Sequence, residues 1–202
     1  MENSISEAIH TYPVRPVNGG PWQYANLQPK RGHWMYQPKV NGWRTLVHAP
    51  TGEMWNRHGE PLSIQDKFKP ALDALKETGW AWFDCEAFER RHECARGSLV
   101  VLDVIANEPW RRRRELISQI VGGDRILPHH PKEWLMNQVY WLRSFPQESV
   151  ARLLDELQAI CEEVGFEAYE GVVGWRTDSK YPIQLQDPNR ECPWVMKHRW
   201  DF

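Results

Sequence analysis

The sequence predicts an α+β fold of antiparallel strands with inserted helices, and three observations carry that prediction. Strand-like runs crowd the first third of the chain, with an Asn41-Gly42 pair, a strong hairpin signal, between two of them. Amphipathic helical stretches come later, and the chain returns to strands at its end. Strands and helices do not alternate one for one, as they would in a doubly wound parallel sheet.

Taken in order, the chain to about Gly32 is rich in Pro, Gly and Asn, and residues 1–26 read as an irregular N-terminal segment. A strand follows over His33–Lys39, then the Asn41-Gly42 turn and a second strand over Trp43–His48. A turn at Pro50-Thr51-Gly52 leads to a short strand, Glu53–Arg57. Phe68, Leu72 and Leu75 recur at helical spacing within Lys67–Glu77, and Gly79 ends that helix. Two strands follow, Trp80–Phe88 and Ser98–Ile105. Leu116, Ile117 and Ile120 share one side of a helix over Arg112–Val121. The clearest helix is Ser149–Val164, where Val150, Leu153, Leu154, Leu157, Ile160 and Cys161 fall on one stripe. The last strands lie around Glu170–Arg176 and Trp194–His198.

Size and composition bound what such a fold does. The 202 residues (23.9 kDa) fit one domain with a sizeable core. With 41% hydrophobic and 26% charged residues, the chain is ordinary for a water-soluble globular protein. Its apolar runs are too short to cross a bilayer, and its first residues, Met1-Glu2-Asn3-Ser4, lack the features of a secretory signal, so an intracellular, cytoplasmic protein is expected. Cys85, Cys94, Cys161 and Cys192 are widely spaced with no CxxC pair, which favours reduced thiols over a disulfide framework or zinc site. A net charge of -2 neither supports nor excludes a nucleic-acid partner. The 12 tryptophans are expected mostly to pack, with a minority free to stack on bases.

The residues suited to chemistry begin at Lys39, at a strand end beside a tight turn, with Arg44 on the next strand. An amine attacks phosphorus only when neutral. A nucleophilic lysine therefore needs its pKa lowered from about 10.4 by burial or a nearby cation. Arg44 or a bound metal is able to supply that cation, although a lysine beside an Asn-Gly turn reads equally as a solvated turn residue. Asp84 and Glu86 share one strand face by the two-residue period, which suits magnesium or ribose hydroxyls, or else makes an exposed acidic face. Glu170 stands where a buried strand begins, and Gly171 lets another group come close to the backbone there. Lys197 and Arg199 alternate on the terminal strand, where phosphates are natural partners and a solvated edge is the alternative.

In order, these residues resemble the motifs of the covalent nucleotidyltransferases: DNA ligases, RNA ligases and messenger-RNA capping enzymes. Lys39-Val40-Asn41-Gly42-Trp43-Arg44 looks like the nucleophile motif Lys-x-(Asp/Asn/His)-Gly-x-Arg. Asn56-Arg57-His58-Gly59 looks like the Arg-x-Gly element, and Phe83-Asp84-Cys85-Glu86 like Asp-Gly-Glu with Cys85 for glycine. Val101-Leu102-Asp103-Val104 resembles the strand that often supplies an aromatic lid for the purine, with Leu102 at that place. Trp110 to Leu116 resembles the Arg-Arg-x-x-Leu helix of DNA ligases. Glu170-Gly171-Val172-Val173 matches Glu-Gly-hydrophobic-hydrophobic, with Trp175 where lysine often stands, and Lys197-His198-Arg199 matches the terminal Lys-x-Lys. The resemblance covers residues 27 to 202.

The resemblance implies an antiparallel-sheet nucleotidyltransferase (ATP-grasp-like ligase adenylation) domain with inserted helices, spanning residues 1–202. It implies an ATP-dependent polynucleotide ligase, with ATP and Mg²⁺ as cofactors and nicked or broken DNA or RNA as partner. Lys39 would carry AMP. Arg44 and Arg57 would steady the nucleotide, Glu86 and Glu170 would serve magnesium or ribose, and Lys197 with Arg199 would face the α-phosphate. Leu102 would lie against the base. Apart from the resemblance, Arg111 to Arg114 is the densest cationic run of the chain, which makes Arg111 and Arg113 candidates for nucleic-acid contact, with a solvated helix start as the alternative. The chain ends at Phe202, after the last motif, where these enzymes usually continue into an OB-fold domain, so a minimal, monomeric enzyme without that domain is expected. The alternatives are a capping-type guanylyltransferase and a non-catalytic nucleotide- or nucleic-acid-binding relic.

Overall fold

Residues that alternate between two environments build ten strands among the described residues of the computed structural model, which are 13–20, 22, 32–89, 93–181 and 191–200. In chain order these are β1 (Arg15–Asn18), β2 (Trp34–Val40), β3 (Trp43–His48), β4 (Glu53–Asn56) and β5 (Trp82–Phe88). They continue with β6 (Ser98–Val104), β7 (Val139–Trp141), β8 (Phe145–Pro146), β9 (Tyr169–Arg176) and β10 (Glu191–His198). The α-helices lying wholly within the described residues are α1 (Lys69–Glu77), α2 (Trp110–Val121) and α3 (Val150–Val164).

The strands form two five-stranded sheets, ordered β1-β10-β9-β2-β8 and β4-β3-β5-β6-β7. Pairing is antiparallel except at two edges, where β1 runs parallel to β10 and β7 parallel to β6. Each sheet covers its outer face with helix. Val150, Leu153 and Leu157 of α3 pack with Trp34, Tyr36, Tyr169 and Val172 of the first sheet. Phe68, Leu72 and Leu75 pack with Val47, Phe83, Leu99 and Val101 of the second, joined by Ile117 of α2. A third cluster, including Leu46, Trp110, Trp175 and Val195, fills the space where the sheets face each other. The α+β class is as the sequence predicts.

Two readings need correction. Asn41-Gly42 is not a hairpin turn, because β2 pairs with β8 and β9 while β3 pairs with β4 and β5. The two residues carry the chain from one sheet to the other. Neither has the positive φ that a type I′ turn requires. Asn41 instead binds across the molecule, its backbone N–H to Ala168 and its side-chain amide to the Glu167 carbonyl. Gly42 is needed for close approach, since a Cβ there would sit 2.8 Å from the Ala87 carbonyl oxygen. Second, the segment read as irregular contains β1, a short strand whose Pro16 and Asn18 hide any period. Of its remainder before Gly32, residues 13–14, 19–20 and 22 are described and the others lie outside the described residues. Gly171 does let another group come close to the backbone, as its reading predicts: at φ 129° it lies against the His198 carbonyl oxygen of β10.

Candidate functional site

Strand alternation assigns each sheet an inward face. On β2, Trp34, Tyr36 and Val40 pack toward α3, so Gln37 and Lys39 face the other sheet. On β9, Tyr169 and Val172 both belong to the α3 core although they are three residues apart. The register shift opposite Pro38 to Val40, with the positive φ of Gly171, is the reason. This bulge lets Glu170 and Val173 both point inward. On β10, Val195 enters the inter-sheet cluster and Lys197, two residues on, faces the same way. Arg44 and Glu86 occupy the inward faces of β3 and β5, opposite each other in register.

These faces enclose a cavity of about 890 Å³, ample for a nucleotide. The first sheet contributes Lys39, Glu170 and Lys197, with Arg199 just beyond β10. The second contributes Arg44, Glu86 and Leu102, with Arg57 just after β4. All eight residues marked by the nucleophile and nucleotide motifs thus line one space. Trp43, 42% exposed, stands on its rim.

Some of the cavity's charges are paired. Glu170 Oε2 accepts from Lys39 Nζ and, at 2.7 Å, from Arg199 Nη2. Glu86 Oε1 accepts from the Gly42 N–H at 2.9 Å. Burial makes the Arg44 proton easier to lose, but the Asp84 carboxylate outweighs that and holds the guanidinium charged. Burial, with Arg199 and Lys39 nearby, pulls Lys197 below the ordinary lysine value. Two carboxylates and a nucleotide's phosphates suit magnesium, an oxygen-loving ion that keeps few protein ligands. Among the described residues no group of three or more His, Cys, Asp or Glu is clustered as a metal cage.

Other marked residues are placed differently. Asp84 shares the face of Glu86, as its spacing predicts, but is fully buried beneath the cavity. It holds Arg44 through two hydrogen bonds of 2.8 and 2.6 Å. Arg113 does not face solvent and is not a nucleic-acid contact. It is fully buried, donates to both Asp103 oxygens at 2.9–3.1 Å, and caps the carbonyls of Glu108 and Ser179. The sequence shows a run of four arginines; the helical period turns Arg113 and Arg114 inward and leaves Arg111 and Arg112 exposed. Arg114 reaches the carbonyls of Leu102 and Leu142.

Sequence reasoning passed over two cavity features. Gln37, 2% exposed, points inward two residues before Lys39, and the two-residue period was a signal for it. The wall from Pro13 to Pro16 had no such signal, because its strand pairs with the far end of the chain.

Glu86 carries a pH-dependent prediction. Burial raises its carboxyl to about 7, with Lys39, Arg44 and the Gly42 N–H pulling the other way. An acid raised in the fold keeps its proton there after the unfolded chain has lost it, so stability falls as pH rises from about 4.5 to about 7. That difference is worth roughly 3 kcal/mol. Glu86→Gln keeps an acceptor for Gly42 and removes the charge. Thermal melts should therefore show the variant several degrees more stable than wild type at pH 8 and equal to it at pH 4. Equal melting at both pH values would contradict the assignment.

No family model matches the sequence, and no curated protein sequence matches it. Solved structures do match. The ligase domain of M. tuberculosis LigD aligns with 94% of this chain and 59% of its own at TM-score 0.57 and 16% identity. The Chlorella virus DNA ligase–adenylate aligns with 94% of this chain and 69% of its own, at TM-score 0.57 and 16% identity. An archaeal ATP-dependent RNA ligase aligns with 93% and 48%, at TM-score 0.57 and 14% identity. The chain therefore has the fold of a nucleotidyltransferase-type ligase domain and spans about half to two-thirds of these ligases. Among the described residues, no helix is long and apolar enough to cross a membrane.

Proposed function

We propose that the chain is an ATP-dependent polynucleotide ligase domain that works through a lysyl-AMP intermediate on Lys39. The observation that supports this most is the convergence of eight motif residues, scattered from Lys39 to Arg199, on one nucleotide-sized cavity between the sheets. The fold shared with DNA and RNA ligases supports it too.

In this reading Lys39, paired to Glu170 as an ammonium, first loses a proton to solvent, and the neutral amine attacks the α-phosphorus of ATP in line with the leaving pyrophosphate. The N–P bond forms as the P–O bond to pyrophosphate breaks, and the nitrogen's surplus proton goes to solvent. Glu170 meanwhile stays paired to Arg199. Lys197 and Arg199 neutralise charge on the α-phosphate, and Arg44 and Arg57 steady the nucleotide. Glu86 and Glu170 would hold magnesium or the ribose, and magnesium would shield phosphate charge there. Leu102 and Val173 offer apolar surface to the base. A 5′-phosphate then takes AMP from Lys39, and a 3′-hydroxyl displaces AMP to join the strands. Exposed Arg111 contributes to holding the nucleic acid, with an affinity that falls with salt.

The test is incubation with ATP, magnesium and nicked duplexes bearing ribose or deoxyribose on either side of the nick. Sealing coupled to pyrophosphate release is expected, and the preferred sugar identifies the substrate. Protein labelling by GTP and not ATP would favour a capping-type activity. Absence of labelling by either would leave a binding relic.

A further inference from the structure

Arg44 lines the cavity but is not held by it. Its Nε and Nη2 groups grip the buried Asp84, while the residue lines the nucleotide space. A carboxylate that orients an arginine must itself be oriented. Asp84 Oδ2 accepts a third hydrogen bond, 2.8 Å long, from the Tyr181 hydroxyl. That hydroxyl also accepts from the Val14 N–H at 3.1 Å, so both of its hydrogen-bonding roles are used. Tyr181 is 6% exposed and sits in the inter-sheet cluster, with the Arg113 guanidinium 5.7 Å from its ring centre. Arg113 in turn fixes the Ser179 carbonyl, two residues before Tyr181, and is anchored by Asp103. Burial and the Asp84 charge keep the phenol protonated and therefore a donor.

We infer that Tyr181 is a positioning residue: through Asp84 it sets the orientation of Arg44, and through Val14 it ties the Pro13–Pro16 wall of the cavity to the same arginine. The inference rests on the reading of the cavity as the nucleotide site and adds a residue outside the nucleotidyltransferase motifs. A network in which every donor and acceptor is matched holds one geometry. Removing the hydroxyl frees the Asp84 carboxylate to rotate and releases the Val14 N–H.

The experiment compares wild type, Tyr181→Phe, Arg44→Lys and the double variant. Single-turnover labelling with ATP gives rate and affinity, and thermal melts give stability. Tyr181→Phe should stay folded and adenylylate about ten-fold more slowly, equivalent to about 1.4 kcal/mol. In the Arg44→Lys background it should cost less than about two-fold, because the interaction it supports is already gone. Replacing Tyr181 with 4-aminophenylalanine, which keeps the ring and a donor, should restore most of the rate. A full ten-fold loss in both backgrounds, or no loss in either, would overturn the inference. So would unfolding of Tyr181→Phe, since the hydroxyl would then be a stability determinant. A readout independent of activity separates this inference from the proposed function: exchange of the Arg44 Nε–H with solvent, followed by NMR on ATP-free protein. Tyr181→Phe should speed it about ten-fold. Faster exchange in a protein that never labels with ATP would retain the positioning role and sink the ligase reading; unchanged exchange sinks the positioning role itself.

Discussion

Replacing Arg113 with methionine is expected to destabilise the protein by about 3–5 kcal/mol, because it strands a buried carboxylate. Asp103 is fully buried, and three of the Arg113 hydrogen bonds end on it. Burial already raises the Asp103 carboxyl, with Arg113 as the main force holding it down. Without the arginine the acid keeps its proton still more strongly in the fold. The deficit should then deepen as pH rises above about 4, where the unfolded chain ionises. A melting temperature lower by roughly 10 °C at pH 8, with a smaller gap near pH 4, is the expected measurement. Arg111→Met, at an exposed position on the same helix, should melt within about a degree or two of wild type. Matching melts for the two variants would mean that the buried pair contributes nothing. A loss of nucleic-acid binding in Arg113→Met is accordingly a loss of fold, and of these two arginines Arg111 is the fair probe of phosphate contact.

Lys39→Ala should abolish ATP-dependent labelling while leaving the melting temperature nearly unchanged. The second half follows from the geometry. Glu170 keeps its 2.7 Å bond from Arg199 when Lys39 is gone, so no carboxylate is left alone. Lys39→Arg should also fail to label, because a guanidinium stays protonated and its planar fork is a poor nucleophile. Labelling in either folded variant, measured on denaturing gels, would place the nucleotide elsewhere.

Much of this was legible in the sequence, and the parts that were not share a cause. Period two marked the strand faces, so Asp84 and Glu86 were placed on one side of β5 correctly. Period 3.6 marked α3 from Val150 to Cys161. Neither period names a partner. Asn41-Gly42 has the composition of a hairpin turn, yet its flanking strands belong to different sheets, and only the long-range bonds of Asn41 to residues 167 and 168 reveal this. The same holds for Asp84, whose spacing suits a metal but whose bonds to Arg44 and Tyr181 consume it. Arg113 was read from charge density, while its helical phase relative to Leu116 and Ile117 already hinted that it turns inward. The Pro13–Pro16 wall was invisible because its pairing partner, β10, lies at the other end of the chain.

The central claim, that Lys39 is the nucleophile, is tested most directly by finding the bond. Wild-type protein incubated with magnesium and ATP labelled at the α-phosphate would be denatured, digested at neutral to alkaline pH and mapped by mass spectrometry. The account predicts one adenylyl group on the peptide containing Lys39, removed by added pyrophosphate with return of ATP. An adenylyl group on Lys197 or any other residue, or none on a fully folded protein, would contradict it.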